Sequence, residues 1–353
     1  MNDVSMDALA GPAFTYALSD LPPHGPGMGR VLHGLAARSR LNFLRRVGQV
    51  GWEISSTSVL DTVAPLQAHV LREQAGRAAP ASGALALYVH WSPGGGVSAM
   101  VLRQLALWRE QGFTVVFVSN ADVPPGDWDA VGEQASLRLQ RRNVGYDFGA
   151  WRDAAARATA RYGVPDELLL ANDSVLGPIL PLGPLVSAWR AGGDGLFGMT
   201  ESWGGGPHLQ SYALLARGAA VAEVLAHLAA IPDRRSKWRV VHAGEIGLSE
   251  RVRLAGQRRA ALFGYEAAVS RVDPATLAGF GPRFREPGAM RRFPLNPTHH
   301  LWRVLVERMG FPYLKRELVL RNPGRLPGVE HWPELVPSTL LRDIRDHLAL
   351  MSG

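Results

Sequence analysis

The sequence predicts an α/β protein: an open, mostly parallel β-sheet with helices on both faces, preceded by an N-terminal helical extension. Three observations predict it. Short, wholly apolar runs of strand length recur along the chain, as in Ala84–Trp91 and Phe113–Ser119, and such runs suit strands buried on both faces. Between them, apolar residues return at helical spacing, as in Val97, Met100, Val101, Leu105 and Trp108. Strand, helix and strand together take about 36 residues, enough for a βαβ unit with a parallel pair.

In chain order, residues 1–27 read as a flexible tail rich in Pro and Gly. Residues 28–83 read as a basic helical extension closed by a linker at 77–83 (Arg-Ala-Ala-Pro-Ala-Ser-Gly). In the extension, Arg38, Arg40, Arg45 and Arg46 alternate with Leu35, Leu41, Phe43, Leu44 and Val47. Two readings fit that pattern: an amphipathic helix resting on anionic lipid or a partner, and a packed helix with a solvated basic face. Residues 84–325 form the main domain. After the first βαβ unit it continues with a strand at Ser136–Arg141, a helix at Gly149–Tyr162, a strand at Glu167–Ala171, a helix at Leu185–Ala191 and a strand at Gly195–Met199. His208–Ala216 reads as one more strand, and Ala219–Ala230 as a helix. Residues from about 274 on, richer in Pro and aromatics, read as loops and helices closing over the sheet, and 326–353 form a C-terminal tail or helix.

Composition narrows the function. With 46% hydrophobic and 20% charged residues, the chain can bury a sizeable core and is not a disordered polymer. It has no cysteine, which removes disulfide scaffolds, thiolate zinc sites and cysteine nucleophiles, and fits a cytoplasmic setting. The net charge is +7, and Lys237 and Lys315 are the only lysines. The arginine bias fits phosphate-rich ligands, but the arginines are scattered rather than gathered in one stripe, which favours a GC-rich coding sequence as its source. No basic stripe interleaved with aromatics marks a nucleic-acid surface. No run reaches the roughly 18–20 apolar residues of a membrane helix, so any work at a membrane would be peripheral, at its inner face.

In open α/β sheets, ligands gather at the carboxyl ends of the strands. The polar residues that follow each strand are therefore the candidates. Asn172-Asp173-Ser174 follows a buried strand: one carboxylate between two neutral oxygens suits Mg²⁺ or Mn²⁺ against a diphosphate, and also suits a plain turn. Arg142-Asn143-Val144-Gly145-Tyr146-Asp147-Phe148-Gly149 reads as a loop opening a helix, where free N–H groups receive anions. Glu245, early in a helix over Gly244–Gly256, is a candidate general base or a capping carboxylate. Gly94–Gly96 matches neither the dinucleotide fingerprint nor the P-loop. His299 and His300 are adjacent, diverge on any regular element, and read as structural.

The ordered set Arg142-Asn143-x-Gly145-x-Asp147-x-Gly149-Ala-Trp151, Asn172-Asp173-Ser174-x-x-Gly177-Pro178, His208-Leu209-Gln210-Ser211-Tyr212 and Glu245-Ile246-Gly247-Leu248-Ser249 resembles the rhamnan synthesis protein F family. Asn296-Pro297-Thr298 and Gly310–Arg316 continue it, over roughly residues 84–325 in all. The resemblance implies a GT-A-like nucleotide-diphospho-sugar transferase fold and a glycosyltransferase that builds a rhamnose-containing cell-surface polysaccharide. It implies a dTDP-rhamnose-like donor, a glycan or lipid-linked glycan acceptor and an inverting transfer. It places Arg142, Asn143, Gly145, Asp147 and Asn172 near the donor nucleotide, Asp173 and Ser174 at a metal, and Glu245 as the catalytic base. His208, Gln210, Ser211, Lys315 and Arg316 fall on the sugar or acceptor side, the last two also as phosphate contacts. The usual metal motif of such folds holds two acids, and this triplet holds one. That departure keeps open a rival reading, a non-catalytic nucleotide-sugar or glycan-binding subunit of an assembly complex.

Overall fold

The computed structural model describes residues 14–23, 48, 51, 52, 55, 69–233, 236–281, 284 and 288–352. Its centre is one large sheet ordered β1-β11-β8-β10-β6-β3-β4-β5-β2, with β9 attached to β8. The strands are β1 (Ser19–Asp20), β2 (Val70–Ala75), β3 (Ala84–His90), β4 (Thr114–Ser119), β5 (Leu137–Arg141), β6 (Glu167–Asn172), β8 (Gly195–Ser202), β9 (His208–Leu209), β10 (Ala213–Arg217) and β11 (Arg259–Phe263). β7 (Val175–Leu176) and β12 (Leu314–Lys315) pair separately. One half of the sheet is parallel: β3 pairs with β4 and β6, and β4 with β5. The other half is mixed, because β10 runs antiparallel to both β6 and β8, while β11 returns parallel to β8.

Strand alternation explains why β3 is buried on both sides. Ala84, Ala86 and Tyr88 join one apolar core, and Leu85, Leu87 and Val89 join the other. The first core is covered by α1 (Ala99–Glu110), α2 (Pro125–Gln134), α4 (Gly183–Ala191) and the C-terminal segments; the second by α3 (Tyr146–Tyr162), α5 (Ala219–Ala230) and α6 (Gly247–Leu254). α3 shows how a helix is docked here. Phe148, Trp151, Ala154, Ala155 and Ala158 recur at helical spacing on its buried face. The Trp151 indole N–H donates to the Leu87 carbonyl at 3.0 Å, so the ring is buried without an orphaned donor, and its burial contributes about 2–3 kcal/mol. Among the described residues, no helix is long and apolar enough to cross a membrane.

The structure departs from expectation in four places. Ser19–Asp20, inside the stretch expected as a loose tail, pair with β11, and Tyr16 seals this edge by donating to the Gly310 carbonyl at 2.9 Å. Val70–Ala75, inside the stretch expected as helix, is an edge strand antiparallel to β5; its side chains are mostly exposed, so no apolar period betrayed it. The basic pattern at Arg38–Arg46 lies outside the described residues. His208–Ala216 is two strands rather than one, broken where the Gln210 N–H bonds the Thr200 carbonyl. The helix expected to begin at Gly244 begins earlier: a short helix at Lys237–Val240 runs through a π-helical turn, Val241–Ile246, into α6.

Candidate active site

Four strand ends and one helical turn converge on a polar cluster at the carboxyl edge of the sheet. β6 ends at Asn172. Its side-chain oxygen accepts from the Ser174 N–H at 3.0 Å and from the Ser174 hydroxyl at 2.6 Å, which makes a tight turn of the triplet. The Asn172 amide donates to Asp147 Oδ2 at 2.9 Å, joining this turn to the start of α3. The turn reading of Asn172–Ser174 is thus realised.

Asp147 is brought in by the loop after β5. Gly145 takes φ +78 at the helix start, a conformation that favours glycine. The buried guanidinium that shapes the loop is that of Arg141, which sequence reasoning passed over in favour of Arg142. Arg141 donates to Asp153 at 2.9 Å, to the Asn120 side chain at 2.7 Å and to the Val144 carbonyl at 2.8 Å. Arg142 and Asn143 are exposed. Burial, with repulsion from Asp173, pushes the Asp147 carboxyl up to about 6, against the pull of Lys315 and Arg316.

Asp173 is held on both oxygens. Oδ2 accepts the Trp91 N–H at 3.0 Å, and Oδ1 pairs with Arg316 at 3.0 Å. Burial favours the neutral acid, but Arg316, His90, His347 and the Trp91 N–H outweigh it and hold the carboxyl below its ordinary value. The same guanidinium nitrogen, Arg316 Nη1, donates to the Asp173 carbonyl at 3.0 Å and lies 3.6 Å from Met351 Sδ on the C-terminal helix, α7 (Ser338–Ser352). α7 also brings His347, whose Nδ1 lies 2.9 Å from Ser98 Oγ; burial pulls this imidazole down to about 4, so it stands neutral beside Asp173. The segment expected as a C-terminal tail or helix is largely a helix and is part of the wall.

β12 delivers Lys315. Pairing sets Lys315 opposite Val175, and its ammonium donates to Ser174 Oγ at 2.8 Å and lies 5.1 Å from the Tyr212 ring centre. Burial, with the neighbouring Arg316 charge, pulls the ammonium down to about 8, against Glu245 and Asp147. Glu245 enters from the π-helical turn. Its Oε1 accepts the Ser211 hydroxyl at 2.5 Å, and its Oε2 lies 3.7 Å from His208 Nε2. His208 Nδ1 lies 2.8 Å from the Gly206 carbonyl, an acceptor only, so Nδ1 carries a proton and Nε2 faces the carboxylate. Gly244 permits the approach of turn and helix: a Cβ there would sit 2.5 Å from Phe148 Cδ2.

Asn172, Asp173, Ser174, Asp147, Lys315, Arg316, Ser211, His208 and Glu245 are therefore one neighbourhood. Gln210 turns elsewhere: its amide oxygen accepts from Thr200 at 2.7 Å and its nitrogen faces Asn296 Oδ1 at 3.4 Å. Tyr212, which closes the motif His208–Tyr212 but was given no role from the sequence, lies under Lys315 and touches the Thr200 hydroxyl at 2.6 Å. His299 and His300 diverge, toward Glu317 at 4.0 Å and Asn296 at 3.2 Å.

The donor set at 172–174 does not suit a divalent ion. Both Asp173 oxygens are engaged, Asn172 is spent on Ser174 and Asp147, and cations already face Asp173 and Ser174. Among the described residues, no group of three or more His, Asp or Glu is gathered to hold a metal.

Residues 115–214 match the family model of rhamnan synthesis protein F. The chain is also 31% identical over 183 residues to the uncharacterized protein y4gN of Sinorhizobium fredii, an alignment that covers 50% of this chain and 48% of that one. The chain thus spans about half the length of the curated relative it matches. The matched family stretch contains the loop at 142–149, the triplet at 172–174 and the segment His208–Tyr212. Glu245, Lys315 and Arg316 lie beyond it and join the cluster through the fold.

Proposed function

We propose that this protein is a glycosyltransferase that moves a sugar, rhamnose first among candidates, from a nucleoside-diphosphate donor to a glycan acceptor during cell-surface polysaccharide synthesis. The observation that carries the reading is the cluster itself: Lys315 and the start of α3, suited to an anion, face a carboxylate, Glu245, that accepts the Ser211 hydroxyl and forms no ion pair with arginine or lysine among the described residues. The match over residues 115–214 to a rhamnan synthesis family supports the choice of sugar.

In this reading the diphosphate lies against Lys315 and the N–H groups opening α3, and the sugar points toward Ser211, His208 and Glu245. Glu245 takes the proton of an acceptor hydroxyl. The freed oxygen forms a bond to the anomeric carbon from the side opposite the diphosphate. The bond from that carbon to the phosphate oxygen breaks, its electron pair leaves with the nucleoside diphosphate, and the anomeric configuration inverts. The donor enters from the cytoplasm, and an acceptor carried on lipid would be met at the inner membrane face.

The test is a panel of nucleoside-diphosphate sugars that includes dTDP-rhamnose, read by thermal shift and by release of nucleoside diphosphate. A donor that binds the folded state should raise the melting temperature and be turned over slowly even without acceptor. A shift without any turnover, with or without oligosaccharide acceptors, would make the protein a binding subunit. No shift with any donor would end the reading.

A further inference from the structure

The triplet that resemblance assigns to a divalent ion is chemically closed, and what closes it is positive charge from the chain. Arg316 is fixed by three bonds to the turn: its N–H donates to the Ser174 carbonyl at 3.0 Å, and its guanidinium engages both the side chain and the carbonyl of Asp173 at 3.0 Å. Arg316 therefore spends its charge on Asp173. Its neighbour does not. Among the described residues, no carboxylate forms an ion pair with the Lys315 ammonium, and one of its three protons goes to Ser174 Oγ. The face of Tyr212 lies on another side at 5.1 Å. Glu245 and Asp147 act on this largely buried ammonium without a direct ion pair, which leaves its remaining donors for a further anion.

We propose that Lys315 supplies the positive charge opposite the leaving diphosphate, so that transfer needs no divalent metal, and that Asp173 anchors Arg316 and thereby fixes Lys315 in place. This rests on the sugar-transfer reading above. The parts agree in chemistry: a lysine is a compact point charge suited to phosphate, and Ser174 orients it through a hydroxyl that donates in turn to Asn172. Bond breaking sends an electron pair onto the diphosphate, and the ammonium meets that charge at fixed distance without becoming covalently involved.

The experiment uses the full chain and the donor found by the panel, with dTDP as the binding probe. Wild-type turnover should change less than twofold between EDTA and millimolar Mg²⁺ or Mn²⁺. Lys315→Met should lower kcat at least 100-fold and weaken dTDP at least 10-fold in EDTA, and Lys315→Arg should recover a measurable part of both. Turnover lost in EDTA and restored by metal would overturn the inference and leave the transferase reading standing; it would point to a metal held elsewhere, with Asp147 and Glu245 as the acids at hand. Undiminished turnover in Lys315→Met would also overturn it. The EDTA arm needs no variant, so a misfolded Lys315→Met does not remove the test. Absence of donor binding in every condition would fell the underlying reading instead.

Discussion

Asp173 stands just past β6, in the parallel half of the sheet, and Glu201 near the end of β8, in the mixed half. Both carboxylates are buried. Asp173 meets a guanidinium at 3.0 Å and is held below its ordinary range, although burial alone would raise it. Glu201 accepts the Tyr265 N–H at 2.7 Å, and burial pushes it up to about 7, with Glu266 adding to the rise and Arg259 opposing it. Glu245, on the mixed side, shares with Glu201 the lack of an arginine or lysine ion pair among the described residues: one oxygen accepts the Ser211 hydroxyl and the other lies 3.7 Å from the His208 imidazole. The difference teaches which acids belong to architecture. A carboxylate locked to a guanidinium organises neighbouring strands; one without such a partner among the described residues keeps an oxygen for a further contact.

The sharpest way to break this comparison is Glu245→Gln. It should cut turnover on the order of 10³-fold while leaving dTDP affinity nearly unchanged; full turnover in the variant, measured by nucleotide release, would remove Glu245 from the chemistry. Asp173→Asn should act on stability first. It leaves Arg316 largely buried without its counter-charge, at a cost of about 3 kcal/mol in chemical denaturation. A wild-type midpoint would mean that the ion pair carries no architecture. The two acids should also respond to pH with opposite signs. The lowered Asp173 acid contributes stability above its unfolded value, and this is lost as pH falls through the folded one. The raised Glu201 acid contributes stability below its unfolded value, near 4.5, and this is lost as pH rises through about 7. Glu201→Gln should therefore flatten the alkaline limb between pH 5 and 8, a difference of roughly 2–3 kcal/mol; unchanged slopes would contradict it. The smallest effect should come from Ser211→Ala, which removes one hydrogen bond to Glu245 and should lower turnover about 10-fold with the fold intact.

The parallel half was legible because its strands are apolar on both faces, so Ala84–His90, Thr114–Ser119 and Glu167–Asn172 stand out as unbroken runs. Elements at the rim were not. Val70–Ala75 exposes most of its side chains, and Ser19–Asp20 is two residues long, so neither carries a period. The site divided in the same way. The loop and triplet follow strands and were singled out by position, and Glu245 by its place early in an expected helix. The Asp173–Arg316 pair joins residues 143 apart in sequence, which no local pattern encodes. Arg141 was hidden as the last residue of a strand, where its buried guanidinium builds the loop, while Arg142, the residue expected near the nucleotide, is exposed.

The π-helical turn at Val241–Ile246 holds more residues per revolution than the α-helical segments on either side of it. Inserting a single residue between Val241 and Ala243 would exceed what the already widened turn can absorb, and everything downstream would rotate by about 100° relative to what precedes it. Glu245 would swing away from Ser211 while the composition of the helix stayed almost the same. The carboxylate's aim is therefore written in a count of residues rather than in their identity, and a relative longer by one residue could keep every side chain of this turn and still point its acid at solvent.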